Sequence, residues 1–167
     1  MFVAQRSSQL SKPDAYRELN AQVAALFAGE RDGLANCANL AALLFELLPD
    51  LNWAGFYFLR ADELVLGPFQ GRVACVRIAL SRGVCGTAAR ERRTVVVPDV
   101  HAFPGHIACD ERSRSEIVVP LLDGPRLLGV LDLDSPVPAR FEEADAVGLL
   151  TAVQLLLKHS DLSRLVG

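Results

Sequence analysis

Two short hairpins limit what this chain can fold into more than any other feature. Residues 52–59, Asn-Trp-Ala-Gly-Phe-Tyr-Phe-Leu, are dense in aromatics and bounded by turn residues. Arg60-Ala61-Asp62 turns that run into 63–69, and Asp123-Gly124-Pro125 joins 116–122 to 127–133 in the same way. Tight polar turns make antiparallel neighbours, because parallel strands need a crossover of about a dozen residues or more. Two further β runs, 74–80 carrying Cys75 and 94–97 ending at Pro98, bring the expected sheet to about six strands.

Helical signals surround the sheet. Tyr16, Leu19, Val23, Leu26 and Phe27 form an i, i+3, i+4, i+7 stripe within 13–29, started by Lys12-Pro13-Asp14 and stopped by Gly29. An Ala- and Leu-rich helix is expected over 33–48, and a short one over 84–92 with Cys85 in its first turn. A last helix, about 142–162, would bring Ala146, Leu149, Leu150 and Val153 onto one face. The order predicts an α+β fold, a mainly antiparallel sheet with terminal helices packed on it.

With 167 residues, one domain over 1–167 is expected, large enough to bury a substantial core. The net charge of −3 gives no electrostatic case for nucleic acid or an anionic membrane. No apolar run approaches the roughly 18 residues of a membrane span, and the first ten residues lack the layout of a signal peptide. A soluble, cytoplasmic protein is the expectation. In that compartment four cysteines are filler, metal ligands or redox reagents rather than structural disulfides.

Cys37, set among Leu and Ala in the second helix, reads as core filler. The stretch 99–113 has no clean period and holds His101, His106 and Cys109. Loops of about 15 residues inside a domain are usually functional or disordered, and Phe103 and Ile107 argue against disorder. Cys75, Cys85 and Cys109 contain no C-x-x-C pair, so zinc through Cys75, Cys85, His106 and Cys109 lacks the usual short spacing. A helix N-terminus would favour a thiolate at Cys85, while Asp110 and Glu111 would oppose one at Cys109. Local sequence does not rank the three.

In Leu131-Asp132-Leu133-Asp134 the side chains alternate, so the two carboxylates share a face, and Glu116 on the neighbouring strand can project there. Close carboxylates repel, and such a grouping serves to hold a cation or a proton unless it is a solvated strand end. Along the aromatic strand Trp53 and Tyr57 take one face, Phe56 and Phe58 the other. One set fills the core; the other lines a pocket or joins the core as well.

Three stretches together resemble the free methionine-(R)-sulfoxide reductases, enzymes built on a single GAF domain. They are Leu66-Gly67-Pro68-Phe69-Gln70-Gly71, Gly83-Val84-Cys85-Gly86-Thr87-Ala88, and Pro98 through Asp110 with its His-Ala-Phe-Pro-Gly-His-Ile-Ala-Cys core. Asn52-Trp53-Ala54-Gly55-Phe56-Tyr57, Ser115 through Pro120, and Leu131 through Pro136 also fit. The resemblance implies a GAF-like sheet with terminal helices on one face and a loop-covered pocket on the other. It implies reduction of free L-methionine (R)-S-oxide by Cys109, through a sulfenic acid and an intramolecular disulfide recycled by thioredoxin. Cys75 is favoured as the resolving thiol, with Cys85 auxiliary. Glu116, Asp132 and Asp134 match the family's acidic cluster, and Trp53 and Tyr57 the wall around the substrate's methyl end. No metal or cofactor is implied, and homodimerisation stays open. His101 and His106 are expected to order the loop, with help in forming a Cys109 thiolate as the other role. Val73 stands where the family has proline, and Arg72 and Arg82 where lysine is frequent, none of them a reacting group. A non-catalytic GAF module that senses a small ligand is the alternative function.

Overall fold

Both hairpins form, and the strands that begin one and end the other lie side by side. The computed structural model describes residues 4, 10–105 and 110–167. Its sheet contains β1 (Trp53–Arg60), β2 (Glu63–Gly71), β3 (Arg77–Ala79), β4 (Val95–Val97), β5 (Ser115–Asp123) and β6 (Arg126–Ser135). Every neighbouring pair is antiparallel, in the order β3-β2-β1-β6-β5-β4. The β1–β6 ladder, with Trp53 opposite Asp134 and Gly55 opposite Asp132, sets the aromatic strand beside the acidic one. Gly55 is required there: a Cβ would lie 2.3 Å from Phe69 Cβ and 2.7 Å from the Trp53 ring.

The pleat sorts side chains as the alternation predicts. On one face Phe56, Phe58, Ile117, Val119, Leu131 and Leu133 pack against α1 (Lys12–Leu26), α2 (Gly33–Leu47) and α4 (Glu143–His159). Cys37 lies in this core with no exposed surface, as filler. On the other face Trp53, Tyr57, Val118 and Val130 pack with α3 (Gly83–Glu91). The expected packing of the terminal helices on one face therefore holds, while α3 and a 3₁₀ turn, Val100–Ala102, lie on the opposite side.

Helix starts follow side-chain chemistry. Ser11 accepts from the Asp14 amide and Asp32 from the Ala35 amide, and Glu142 with Asp145 forms a capping box on α4. Asp145 goes further. Its buried carboxylate takes Lys12 Nζ at 2.6 Å, Arg140 Nη1 at 2.8 Å and the Tyr16 hydroxyl at 2.9 Å, tying α1 to α4. Leu150 departs from expectation. It is 41% exposed, and the core stripe of α4 runs through Leu149, Ala152, Val153 and Leu156.

The third strand is shorter than expected. The sheet takes only Arg77–Ala79, and Cys75 sits in an irregular segment ahead of it. The cause lies in the aromatic strand. Trp53 Nε1 donates to the Arg72 carbonyl at 3.1 Å and the Tyr57 hydroxyl to the Cys75 carbonyl at 3.1 Å. Those carbonyls are held by side chains rather than by a ladder, and Val73 and Val76 turn outward.

Candidate functional site

The polar face of β1, β5 and β6 and the first turn of α3 enclose one cleft. Trp53 and Tyr57 form its wall, stacked with ring centroids 5.8 Å apart, and Phe69 backs Trp53 at 5.4 Å. The same two aromatics hold residues 72–75 over the cleft, where Val73 and Ala74 line it. Cys75 is disulfide-bonded, which removes it from the metal set considered with His106 and Cys109. Those last two residues lie outside the described ones.

The floor is acidic. Cross-strand register puts Glu116 opposite Asp134, and Asp132 comes one pleat along on the same face. Glu116 and Asp132 are each 6% exposed, and Asp134 is half-buried. Cys85 arrives from α3. Gly86 lets that helix approach the sheet, since a Cβ there would lie 2.7 Å from the Ala79 carbonyl oxygen. The Cys85 thiol donates to Glu116 Oε1 across 4.0 Å. One ligand atom each from Cys85, Glu116 and Asp132 falls within 4.8 Å of the other two.

Charge in this cluster is expensive, and the groups respond by keeping protons. Burial pushes Asp132 up to about 7, with hydrogen bonds from Cys85 and Glu116 working the other way. Burial and then the charge of Asp132 raise Glu116 and Asp134 well above the ordinary carboxylate range. Cys85 is likewise raised well above an ordinary thiol, first by burial and then by Asp132 and Glu116. At Cys85, then, desolvation and the neighbouring carboxylates act against the thiolate that a helix N-terminus favours. One atom is left over. Among the described residues, Asp132 Oδ1 is buried with no hydrogen-bond partner.

A polar clasp not foreseen from the sequence fixes the loop's return to the sheet. Asn52 Nδ2 donates to Ser113 Oγ at 2.9 Å and to Asp110 Oδ2 at 3.2 Å. Arg112 Nη2 meets Asp110 Oδ2 at 2.7 Å, and this guanidinium, followed by Asn52, holds the Asp110 carboxyl far below its usual range. Asp110 and Ser113 both line the cleft. The only sequence cue was the position of Asn52 ahead of the aromatic run. His101 is exposed, and its backbone amide donates at 3.1 Å to Asp99 Oδ1, the carboxylate that caps a short 3₁₀ turn.

Among the described residues, then, the structure gathers Trp53, Tyr57, Cys85, Glu116, Asp132 and Asp134, with Cys75 held above them. Comparison with known proteins places the whole chain. The GAF domain family model matches residues 14–157. The chain is 53% identical over 149 residues to the free methionine-R-sulfoxide reductase of Escherichia coli, covering 89% of this chain and 90% of that one. It is 42% identical over 161 residues to the free methionine-R-sulfoxide reductase of Saccharomyces cerevisiae, covering 91% and 89%. The free methionine-R-sulfoxide reductase from Neisseria meningitidis, solved in complex with its substrate, superposes with a TM-score of 0.92 at 47% identity, over 99% of both chains.

Proposed function

Since the chain belongs to the free methionine-R-sulfoxide reductase family of GAF-domain proteins, we propose that its acidic cleft binds the free amino acid and that Cys109 performs the reduction. The observation that carries the substrate assignment is the acid cluster with its unpartnered Asp132 Oδ1 beside an aromatic wall. An α-ammonium donates to Asp132 Oδ1 and brings a positive charge into this acidic pocket; a peptide-bound methionine has none to offer. Trp53 and Tyr57 take the methyl end.

The reaction balances with the groups present. Cys109 thiolate attacks the sulfoxide sulfur, and the sulfoxide oxygen takes a proton and passes to the cysteine sulfur. Methionine leaves and Cys109 becomes a sulfenic acid. The buried acids, which keep protons near neutrality, are suited to supply that proton. Cys75 thiol then attacks the sulfenic sulfur, expelling water and forming the disulfide. A cytoplasmic dithiol of the thioredoxin type reduces it by exchange. Cys75 being disulfide-bonded while Cys37 and Cys85 are free thiols supports Cys75 as the resolving residue.

Thiol counting tests the scheme. Adding the free R epimer to reduced protein should consume two thiols and release one methionine, and the S epimer should consume none. Cys109→Ser should release no methionine. Cys75→Ser should still release one, leaving a trappable sulfenic acid. Turnover by Cys109→Ser at the wild-type rate would refute the nucleophile assignment, and ligand binding without thiol loss would favour a sensor.

A further inference from the structure

The cluster that faces the cleft also has the make-up of a metal site. Cys85, Glu116 and Asp132 are all buried, and their ligand atoms lie within 4.8 Å of one another. They stand on α3, β5 and β6, so ladder hydrogen bonds and helix packing, rather than a loop, fix their spacing. Tetrahedral zinc, with bonds of about 2.0 to 2.3 Å, needs ligand atoms roughly 3.5 Å apart, which this cluster reaches with small side-chain adjustments. A second observation points to an occupant: Asp132 is 6% exposed, yet its Oδ1 has no partner among the described residues. One soft sulfur with two carboxylates selects the zinc class over magnesium or calcium, which take oxygen ligands in larger number.

We propose that Cys85, Glu116 and Asp132 bind a thiophilic divalent cation of the zinc class, with water in the fourth position, and that this ion excludes the substrate's ammonium and inhibits the enzyme. Binding replaces the Cys85 thiol proton with a sulfur–metal bond and likewise displaces the protons that Glu116 and Asp132 keep, all of which pass to solvent. No electron is transferred. Binding itself is independent of turnover; only the inhibition rests on the proposed substrate position.

The disulfide form allows a clean test. In it Cys75 is not a thiol, and Cys37 is buried on the opposite face of the sheet, leaving Cys85 as the described thiol at the cluster. Cobalt(II) titrated into this form should saturate at one equivalent and give a sulfur-to-cobalt charge-transfer band in the near ultraviolet. The band should be absent in Cys85→Ser, present in Cys37→Ser, and displaced by zinc. Asp132→Asn and Glu116→Gln should each weaken cobalt binding by about tenfold or more. A band that survives Cys85→Ser, or no binding near one equivalent, overturns the site. If Cys85→Ser does not fold, unchanged cobalt affinity in both carboxylate variants overturns it instead. Free methionine should weaken the metal's apparent affinity. Metal binding that ignores methionine leaves the metal site standing and refutes the ammonium position together with the inhibition.

Discussion

Asp132 concentrates the chemistry of the cleft in one side chain. Its carboxyl is raised from an ordinary 3.8 to about 7 by burial, so the folded protein binds a proton there that the unfolded chain releases. The sign follows: between about pH 4 and 7 the folded state holds more protons, and this group's contribution to stability falls as pH rises. Glu116, Asp134, Cys85 and Tyr57 face it and shift in the same direction. Asp132→Asn should therefore flatten the loss of stability between about pH 4 and 7, read from urea midpoints. A substrate ammonium stabilises the charged carboxylate, so methionine binding near pH 7 should release protons and weaken as pH falls. Calorimetry in two buffers of different ionisation enthalpy measures that release, and proton uptake would contradict it.

At the scale of elements, β1 does two jobs with alternate residues. Phe56 and Phe58 seal it to the helical layer, while Trp53 and Tyr57 form the pocket wall and grip the segment that carries Cys75. Tyr57→Phe keeps the ring and removes only the bond to the Cys75 carbonyl. It should lower stability by about 1 kcal/mol. On the proposed mechanism the larger effect should be kinetic, because a looser segment would present Cys75 less often to the sulfenic acid. Single-turnover measurement should find methionine release near the wild-type rate and disulfide formation slowed severalfold; equal slowing of both steps would argue against a role in positioning Cys75.

Across the whole molecule, the sheet separates the helical core from the face that carries the cleft. Asp145 belongs to the first. It is fully buried and joins Lys12, Tyr16 and Arg140, so Asp145→Ala strands the Arg140 guanidinium and the Tyr16 hydroxyl without their partner. Breaking such a pair typically costs about 3–5 kcal/mol, and Lys12, which is partly exposed, will recover some of it in water. Chemical denaturation should show this loss while the folded fraction still releases methionine from the R epimer. A selective loss of methionine release in fully folded Asp145→Ala would mean the two faces are coupled.

Short-range patterns settled the hairpins, the helices and the assignment of residues to faces, because turn chemistry and pleat alternation act between near neighbours. Asp123-Gly124-Pro125 and the alternation in Leu131-Asp132-Leu133-Asp134 carried that information without reference to any distant residue. The resemblance in three stretches added the family, which similarity over most of the chain then bore out. Tertiary structure decided the rest. Whether 74–80 is strand depended on two aromatic side chains more than fifteen positions away, which capture the Cys75 carbonyl and that of Arg72 just ahead of the segment. Whether Cys85 is a thiolate depended on the carboxylates that β5 and β6 bring to the end of α3. Both outcomes turn on desolvation and on partners remote in sequence, and neither is a property of a residue together with its near neighbours in the chain.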